Sequence, residues 1–185
     1  MSYILTIVTP TVPERSAVHS KLLTYLQSKI EEHGLQKKVQ LLYFGDNFSM
    51  TVGEKRNFLY SMAKGKMISS LDDDDYIDAD RLPAIIEGVE KFNPDVVTFN
   101  GKYIANSVHR GDFNISLAHK KNEDLMGNKG ITLMNRIPNH ICFINTEIIR
   151  NHAYFTNKNL GEDQDFSNIV RPHLKRELHF DFDYY

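Results

Sequence analysis

The stretch MISSLDDDDYID, residues 67–78, places an apolar run directly before four consecutive aspartates. The apolar run is typical of a buried strand. The aspartates repel one another and resist burial, so the strand must end where they begin. In open α/β sheets, ligands bind outside the carboxyl ends of the strands. This pattern therefore predicts a cation-binding function at the end of a core strand.

Strand and helix patterns alternate along the first hundred residues. Short β-branched and apolar runs predict strands, and apolar residues three and four apart predict helices. The predicted elements are strands at 3–9, 39–44, 66–71 and 95–99, and helices at 14–33, 52–64 and 79–92. Such alternation predicts an α/β fold with a mostly parallel sheet that is covered by helices on both faces. The ends of the first three strands should then meet at one edge of the sheet.

The second half of the chain has a less regular pattern. It predicts one or two strands at 102–119, a short strand at 141–145, a helix at 162–174 and an edge strand at 177–185. Residues 120–136 are polar, contain two glycines and predict a mobile loop that could close over a ligand. No repeat or linker divides the chain, so we expect one domain over residues 1–185.

Composition excludes several classes of protein. The chain has 185 residues, 41% hydrophobic and 25% charged, with a net charge of -2, so no overall basic field attracts nucleic acid or anionic lipid. Cys142 is the single cysteine, which excludes an internal disulfide and a multi-cysteine zinc site. We expect a cytoplasmic protein without a signal peptide, and no membrane insertion, because no apolar run reaches spanning length.

The four aspartates have the chemistry of a metal site. Along an extended strand end, Asp72 and Asp74 would point to one side, and Asp73 and Asp75 to the other. Two carboxylates about 4 Å apart repel by roughly 4 kcal/mol at an effective dielectric constant of 20. A shared proton or a bound cation relieves that repulsion. Oxygen ligands favour Mg²⁺ or Mn²⁺, so the sequence favours a divalent cation here.

Three alternatives compete with this metal site. The aspartates could form a solvated acidic turn, with Asp78 or Asp80 as the N-cap of the next helix. A calcium-binding EF-hand loop starting at Asp72 fits poorly, because Tyr76 would occupy a ligand position. A phosphatase motif of the form DxDx[TV] is disfavoured, because neither Thr nor Val stands at its last position and the aspartates follow the third predicted strand.

Four segments together identify a family resemblance. TIVTPT, GEKRN, AKGKMISSLDDDDYID and GEDQDF follow one another from the first strand to the last predicted helix. In this order and spacing, the chain resembles the family 2 glycosyltransferases. The resemblance implies a GT-A, Rossmann-like fold, with a small antiparallel elaboration in the second half. It also implies a nucleotide-sugar-binding half, residues 1–100, and an acceptor-side half, residues 101–185.

The resemblance implies roles for individual residues. Asp74 would ligate the Mn²⁺ or Mg²⁺ that bridges the donor diphosphate, and Asp163 would be the catalytic base of an inverting reaction. On the acceptor side, His140 and Glu162 would contact the substrate. The donor-binding residues that it implies are Pro10, Thr11, Asp46, Lys55, Arg56, Asp72 and Asp73.

Physical chemistry agrees with the implied roles. A sugar that leaves a nucleoside diphosphate builds negative charge on the diphosphate, which a cation and basic side chains stabilise. Asp163 lies in the first turn of a predicted helix, where the helix dipole favours the carboxylate. Asp165 and Glu162 remain alternative bases, and ordinary acidic residues at a helix N-terminus would also explain this cluster.

Other side chains have structural explanations beside functional ones. His140 would contact the acceptor or a phosphate, or be a hydrogen-bonded structural histidine. His179 would supply a third metal ligand or be an ordinary edge-strand residue. We interpret Arg15 as helix-surface charge and the aromatic residues of the tail as core or edge packing.

The expected activity is transfer of one hexose or pentose, because the QxxRW motif of processive synthases is absent. The expected donor is a nucleotide-diphosphate sugar, in the first place a UDP-sugar. A glycan, a lipid-linked sugar, a protein or a modified nucleic acid would be the acceptor. A nucleotidyltransferase is disfavoured, since TPTVPERS lacks the glycines of a phosphate loop. A non-catalytic sugar-nucleotide-binding module remains the third alternative.

Overall fold

The computed structural model describes residues 3–126 and 131–185. These residues form nine strands and five α-helices, with short 3-10 helices between them. The strands are β1 (Leu5–Thr11), β2 (Val39–Gly45), β3 (Met67–Ser70), β4 (Val96–Ala105), β5 (Val108–Ile115), β6 (Glu123–Met126), β7 (Thr132–Arg136), β8 (Phe143–Asn145) and β9 (Glu177–Asp183). The helices are α1 (Ser16–Glu32), α2 (Val52–Met62), α3 (Leu82–Phe92), α4 (Thr146–His152) and α5 (Glu162–Val170).

The strands join in one sheet in the order β2-β1-β3-β8-β4-β5-β7-β6, with β9 paired to β4. β1 lies parallel to both β2 and β3, whereas β8 lies antiparallel to both β3 and β4. β3 and β4 therefore run in the same direction on either side of one reversed strand. The predicted α/β fold class is confirmed. The elaboration in the second half is mixed instead of antiparallel, because β5 lies antiparallel to β4 and β6 lies antiparallel to β7, whereas β5 and β7 are parallel.

Hydrophobic periodicity explains why the helices cover this sheet. α1 buries Leu22, Leu26 and Ile30, which are spaced by four residues and so share one face. α3 buries its apolar residues at the same kind of spacing. α2 begins with a capping box, in which the side chains of Thr51 and Glu54 each accept a hydrogen bond from the other's backbone N–H.

The second half departs from the sequence-based prediction. The loop predicted at 120–136 is wrong for its described part, because β6 and β7 pair with each other and β7 pairs with β5. Residues 127–130, including the two glycines of that loop, lie outside the described residues. β6 is short and exposed along its length, and its sequence EDLM has no alternating pattern, so its pairing depends on β7. Within 3–126 and 131–185, no helix has both the length and the apolarity needed to cross a bilayer.

Gly53 allows α2 to pack closely against the segment before α5. A Cβ at this position would lie 2.0 Å from the carbonyl oxygen of Thr156, and the Gly53 N–H donates to the carbonyl of Lys158 at 3.2 Å. Gly53→Ala should destabilise the protein by about 2 kcal/mol, because displacing this backbone costs more than the roughly 1 kcal/mol that alanine gains in a helix. Urea denaturation measures the difference.

Met62→Ala, at an exposed site in the same helix, is the control for Gly53→Ala and should change stability by less than about 0.5 kcal/mol. Equal denaturation midpoints for Gly53→Ala and the unmodified protein would contradict the close packing.

Candidate functional site

The carboxyl ends of β1 and β3 are tied together by polar contacts. Thr11 Oγ1 donates to Asp73 Oδ2 at 2.6 Å, so the first strand holds the aspartate segment directly. Arg15 Nη1 lies 2.7 Å from Asp73 Oδ1 and 3.1 Å from Asp74 Oδ1. Arg15 is therefore part of the aspartate cluster, and its interpretation as helix-surface charge was wrong. Its position shortly after the carboxyl end of β1 was the sequence feature that could have placed it in the site.

The four aspartates form a turn instead of an extended strand end. β3 ends at Ser70, and the Asp75 N–H donates to the carbonyl of Asp72 at 3.2 Å. Asp72 and Asp74 nevertheless line the same two cavities, one on each side of the cluster. Asp78 caps the following 3-10 helix, as the acidic-turn alternative predicted. Asp78 therefore has the capping role of the acidic-turn alternative, whereas Asp72 and Asp74 are placed for ligand binding.

Arg56 joins two sequence motifs that are far apart in the chain. Its Nη1 donates to Glu162 Oε1 at 2.5 Å and its Nη2 to Asp72 Oδ1 at 2.6 Å. Burial alone would lower the pKa of Arg56, but the two carboxylates outweigh it and raise the pKa. Burial would raise the pKa of Asp72, and Arg56 reverses that effect, so Asp72 is held as a carboxylate.

Lys55 is engaged in the same way with Asp46. Its Nζ lies 2.6 Å from Asp46 Oδ1 and donates to the carbonyl of Thr11 at 3.0 Å. The hydrogen bond from Lys55 holds the pKa of Asp46 well below its usual range. Asp46 also accepts from the Met50 N–H and from Ser49, and it does not line either cavity. Asp46 therefore fixes Lys55 and the β2–α2 loop in this conformation.

The first cavity has a volume of about 690 Å³ and opens at this edge of the sheet. It collects ten of the eleven predicted site residues: Pro10, Thr11, Lys55, Arg56, Asp72, Asp73, Asp74, His140, Glu162 and Asp163. The prediction missed Val12, Arg15, Phe48, Met50, Val52, Asn159, Leu160 and Gly161. Phe48 is exposed and has a φ of 58°, a left-handed conformation that bulky residues rarely adopt. Backbone strain of this kind concentrates at ligand sites.

The three acidic residues of the GEDQDF segment have different surroundings. Glu162 is buried in the ion pair with Arg56. Asp165 Oδ2 accepts from Thr156 at 2.7 Å and from Lys158 at 2.8 Å. Asp163 lines both cavities, and within the described part of the chain no lysine or arginine forms an ion pair with its carboxylate. Glu162 also lines the first cavity, but Asp163 is the acid of this helix that lines both.

His140 is buried between the two cavities and lines both. Burial, followed by the charge of Arg56, lowers its pKa to about 4, so the ring is neutral at pH 7. Its Nε2 lies 4.0 Å from Asp72 Oδ2, and its Nδ1 has no hydrogen-bond partner among residues 3–126 and 131–185. A buried ring nitrogen without a partner is costly, which favours a ligand contact at this position.

The aspartate cluster fits a divalent cation. Burial, with the neighbouring charges of Asp72 and Asp74, raises the pKa of Asp75 to about 7, so the negative charge here is not fully compensated. Asp74 is 54% exposed, lines both cavities and has Arg15 as its ion-pair partner. Its carboxylate can therefore accept a hard cation whose remaining ligands come from a bound anion.

A second acidic group lies elsewhere. Among the described residues, Glu32, His33 and Asp80 are the one set of three side chains close enough to share an ion. They lie outside both cavities, and Lys29 Nζ already contacts Glu32 at 3.0 Å and Asp80 at 2.9 Å. Lys29 supplies positive charge there, as Arg15 does beside Asp74, so the two groups differ chiefly in that the aspartate cluster lines the cavities.

His179 is not near the aspartate cluster. Its Nδ1 lies 2.9 Å from Thr98 Oγ1 on β4, and its Nε2 lies 3.4 Å from Asn114 Nδ2. It lines neither cavity, so the structure does not support a role as the third metal ligand. The explanation as an edge-strand residue is correct.

The second cavity has a volume of about 1160 Å³ and lies on the other side of the aspartates. Its lining includes Tyr103, Phe113, Tyr184 and Tyr185. The aromatic residues of the tail therefore border ligand space as well as the core, which the packing interpretation missed. The two cavities share Asp72, Asp74, His140 and Asp163.

The same fold occurs in solved structures of TarS from S. aureus. The chain matches TarS 1-349 with a TM-score of 0.67, 18% identity and coverage of 98% of this chain and 59% of that one. TarS 1-349 in complex with UDP matches with a TM-score of 0.68 and 17% identity, over 98% of this chain and 59% of that one. TarS 1-349 in complex with UDP-GlcNAc matches with a TM-score of 0.66 and 17% identity, over 98% of this chain and 57% of that one. The chain thus spans less than two thirds of each TarS fragment. No curated protein matches it.

The family model Glycosyl transferase family 2 matches residues 25–151. The match covers more than half of the chain and includes α2, the aspartate turn and the strand pair β4–β5. The end of β1, with Arg15, and the start of α5 line the same cavity, although they lie outside the matched range. The chain belongs to glycosyl transferase family 2.

Proposed function

We propose that the protein transfers one sugar from a nucleoside-diphosphate sugar to an acceptor hydroxyl, with inversion at the sugar carbon. The observation that carries this proposal is the cavity of about 690 Å³ where the aspartate cluster, Arg15 and Asp163 meet. Its volume is within the usual range for ligand sites. Family membership and the UDP and UDP-GlcNAc complexes of TarS support a UDP-sugar as the donor.

Different parts of the first cavity suit different parts of this donor. Pro10, Thr11 and Val12 at the end of β1, with the exposed ring of Phe48, provide the surface for the nucleobase. Arg15 is half exposed and contacts Asp73 and Asp74 through Nη1, so its other guanidinium nitrogens can bind the diphosphate. Lys55 and Arg56 are occupied by carboxylates, so they organise the site from behind.

Asp74 would hold a Mn²⁺ or Mg²⁺ ion, with Asp72 and Asp73 placed beside it by Arg56, Thr11 and Arg15. When bound, the cation would neutralise negative charge on the diphosphate leaving group. Asp73 is buried and fully engaged, so it positions Arg15 and the turn. Asp72 borders both cavities and would contact the donor beside the cation.

Asp163 would take the proton from the acceptor hydroxyl as that hydroxyl attacks the sugar. It lies in the first turn of α5, where the helix dipole favours a carboxylate. Gly161 at the N-cap has a φ of 80°, which a glycine adopts without strain, and this turn directs the start of α5 towards the cavities. Neutral His140 lies beside it and can donate or accept a hydrogen bond.

A thermal-shift panel tests the donor. UDP, GDP, dTDP, CMP and UTP are each added with and without Mn²⁺, and hydrolysis of UDP-sugars is followed in parallel. UDP with Mn²⁺ should raise the melting temperature by about 5–10 °C, because ligand at 100 times Kd adds about 2.7 kcal/mol and a domain of this size gains roughly 2–4 °C per kcal/mol. No metal-dependent shift with any diphosphate would overturn the proposal. Preferential binding of UTP would favour a nucleotidyltransferase.

Asp74→Asn should abolish most of the Mn²⁺-dependent part of the UDP shift, because the cation loses its charged protein ligand. Asp80→Asn is the matched control from the second acidic group and should leave that shift unchanged. Loss of the shift in Asp80→Asn, with retention in Asp74→Asn, would move the cation to the other group.

A further inference from the structure

The second cavity meets the first at the residues that would carry the reaction. Asp72, Asp74, His140 and Asp163 line both cavities. A ligand in the second cavity can therefore reach the Asp163 carboxylate while a nucleotide occupies the first. This position is suited to the molecule that supplies the attacking hydroxyl.

The floor of the second cavity is a flat apolar surface on β4, β5 and β7. Cross-strand partners point to the same face of a sheet. Phe113 pairs with Gly101 and with Met134, and Tyr103 pairs with Gly111. A Cβ on Gly101 would lie 2.1 Å from Phe113 Cζ, and one on Gly111 would lie 2.8 Å from Met134 Cε. The side chains of Phe113 and Met134 therefore lie flat across Gly101 and Gly111 and leave an open platform.

Tyr103 forms the exposed end of this platform. Tyr103 is 53% exposed and lines the second cavity, so its ring is accessible to a ligand there. Phe113 contacts Tyr185 with ring centroids 5.7 Å apart and an interplanar angle of 61°. The tail thus supports the platform from one side and leaves the upper faces of the rings free.

The charges around the platform disfavour an anionic ligand. Six aspartates contribute to the lining of the cavity: Asp72, Asp74, Asp75, Asp78, Asp163 and Asp183. In the part of the chain that the structure describes, the two lining cations are already paired. Lys102 Nζ lies 2.6 Å from Asp183 Oδ2, and Arg136 Nη2 lies 2.6 Å from Asp124 Oδ1. Four of these aspartates have a basic partner: Asp72 pairs with Arg56, Asp74 with Arg15, Asp78 with Arg81 and Asp183 with Lys102. A phosphate or carboxylate would therefore meet the negative charge of Asp75 and Asp163, which no lining cation offsets among the described residues.

We propose that the second cavity binds the acceptor as an uncharged sugar ring that lies on Tyr103 and Phe113. This inference rests on the proposed function. An aromatic platform buries the apolar face of such a ring, and the surrounding carboxylates accept hydrogen bonds from its hydroxyl groups. The same carboxylates reject a phosphorylated or uronic sugar. Acceptor selection is therefore by charge as well as by shape.

Paired glycosides test this selection. Saturation-transfer NMR, with UDP and Mn²⁺ present, compares methyl glucoside, methyl galactoside and methyl N-acetylglucosaminide with the 6-phosphate of each. At least one uncharged glycoside should bind, and at least about tenfold more tightly than its phosphate. A phosphate that binds as tightly as its neutral partner, or an absence of binding by every uncharged glycoside, overturns the inference.

Tyr103→Ala should weaken binding of the neutral glycoside about tenfold and leave the UDP shift unchanged, because the ring contributes an aromatic contact only on the acceptor side. Tyr103→Phe should retain binding. Tyr154→Ala is the control, since Tyr154 is 59% exposed and lines neither cavity. Equal affinities in Tyr103→Ala and Tyr154→Ala would overturn the platform.

The two proposals fail differently. A normal UDP shift without the predicted glycoside binding rejects the acceptor inference alone. Absence of the UDP shift rejects the proposed function and, with it, this inference.

Discussion

Asp163→Asn should lower the rate of sugar transfer by about 10²–10⁴-fold, the usual contribution of a positioned general base. Asparagine keeps the size of the side chain and removes its ability to accept the proton. The melting temperature and the UDP-induced shift should stay close to those of the unmodified protein, because the Asp163 carboxylate is not part of the ion-pair network behind the cavity. Single-turnover assays separate loss of chemistry from loss of binding.

Asp165→Asn is the matched control for the base. It lies in the same first turn of α5 but contacts Thr156 and Lys158, away from both cavities. Its transfer rate should remain within a few-fold of the unmodified rate. If Asp165→Asn loses transfer and Asp163→Asn keeps it, the base is Asp165 and the assignment is wrong.

Arg56→Met should destabilise the protein by about 3–5 kcal/mol, the usual cost of removing one partner from a buried ion pair. Arg56 is 2% exposed and neutralises Glu162, which is 7% exposed. Without the guanidinium, Glu162 must be buried unpaired or take up a proton. Asp72 is 37% exposed and can be solvated by water when Arg56 is removed, so the unpaired charge of Glu162 causes most of the loss of stability. Chemical denaturation measures the loss.

A double variant tests this explanation of the Arg56 effect. Adding Glu162→Gln to Arg56→Met removes the unpaired charge and should recover part of the lost stability. Arg81→Met is the surface control, because the Arg81–Asp78 pair is substantially exposed and should contribute less than about 1 kcal/mol. If Arg56→Met costs no more than Arg81→Met, Arg56 is not a structural link between the motifs.

Much of the first half of the fold was predictable because it depends on local patterns. The apolar spacing of α1 and α3 and the short segments rich in apolar or β-branched residues at β1 and β3 are visible in short windows of sequence. The rule that ligands bind at the carboxyl ends of parallel strands then brought Thr11 and the aspartates to one edge. The Thr11–Asp73 hydrogen bond is the contact expected from that rule.

Residues whose environment depends on distant partners were harder to predict. β6 is a strand because β7 is available to pair with it. Arg15 was assigned to the surface, since nothing near it in the chain shows that Asp73 lies 2.7 Å away. Lys55 and Arg56 line the first cavity, and their contacts with Asp46, Asp72 and Glu162 could not be read from the sequence.

The sequence alone therefore determined the α/β class, the edge at which the site lies and the chemical types gathered there, because periodicity and strand-end rules act over short distances. Only the tertiary structure decided which acid lines both cavities. Glu162, Asp163 and Asp165 share one helical turn, but Arg56 and Lys158 pair with the first and the last and leave Asp163 at the junction of the two cavities. Ion pairs between residues far apart in the chain made that choice.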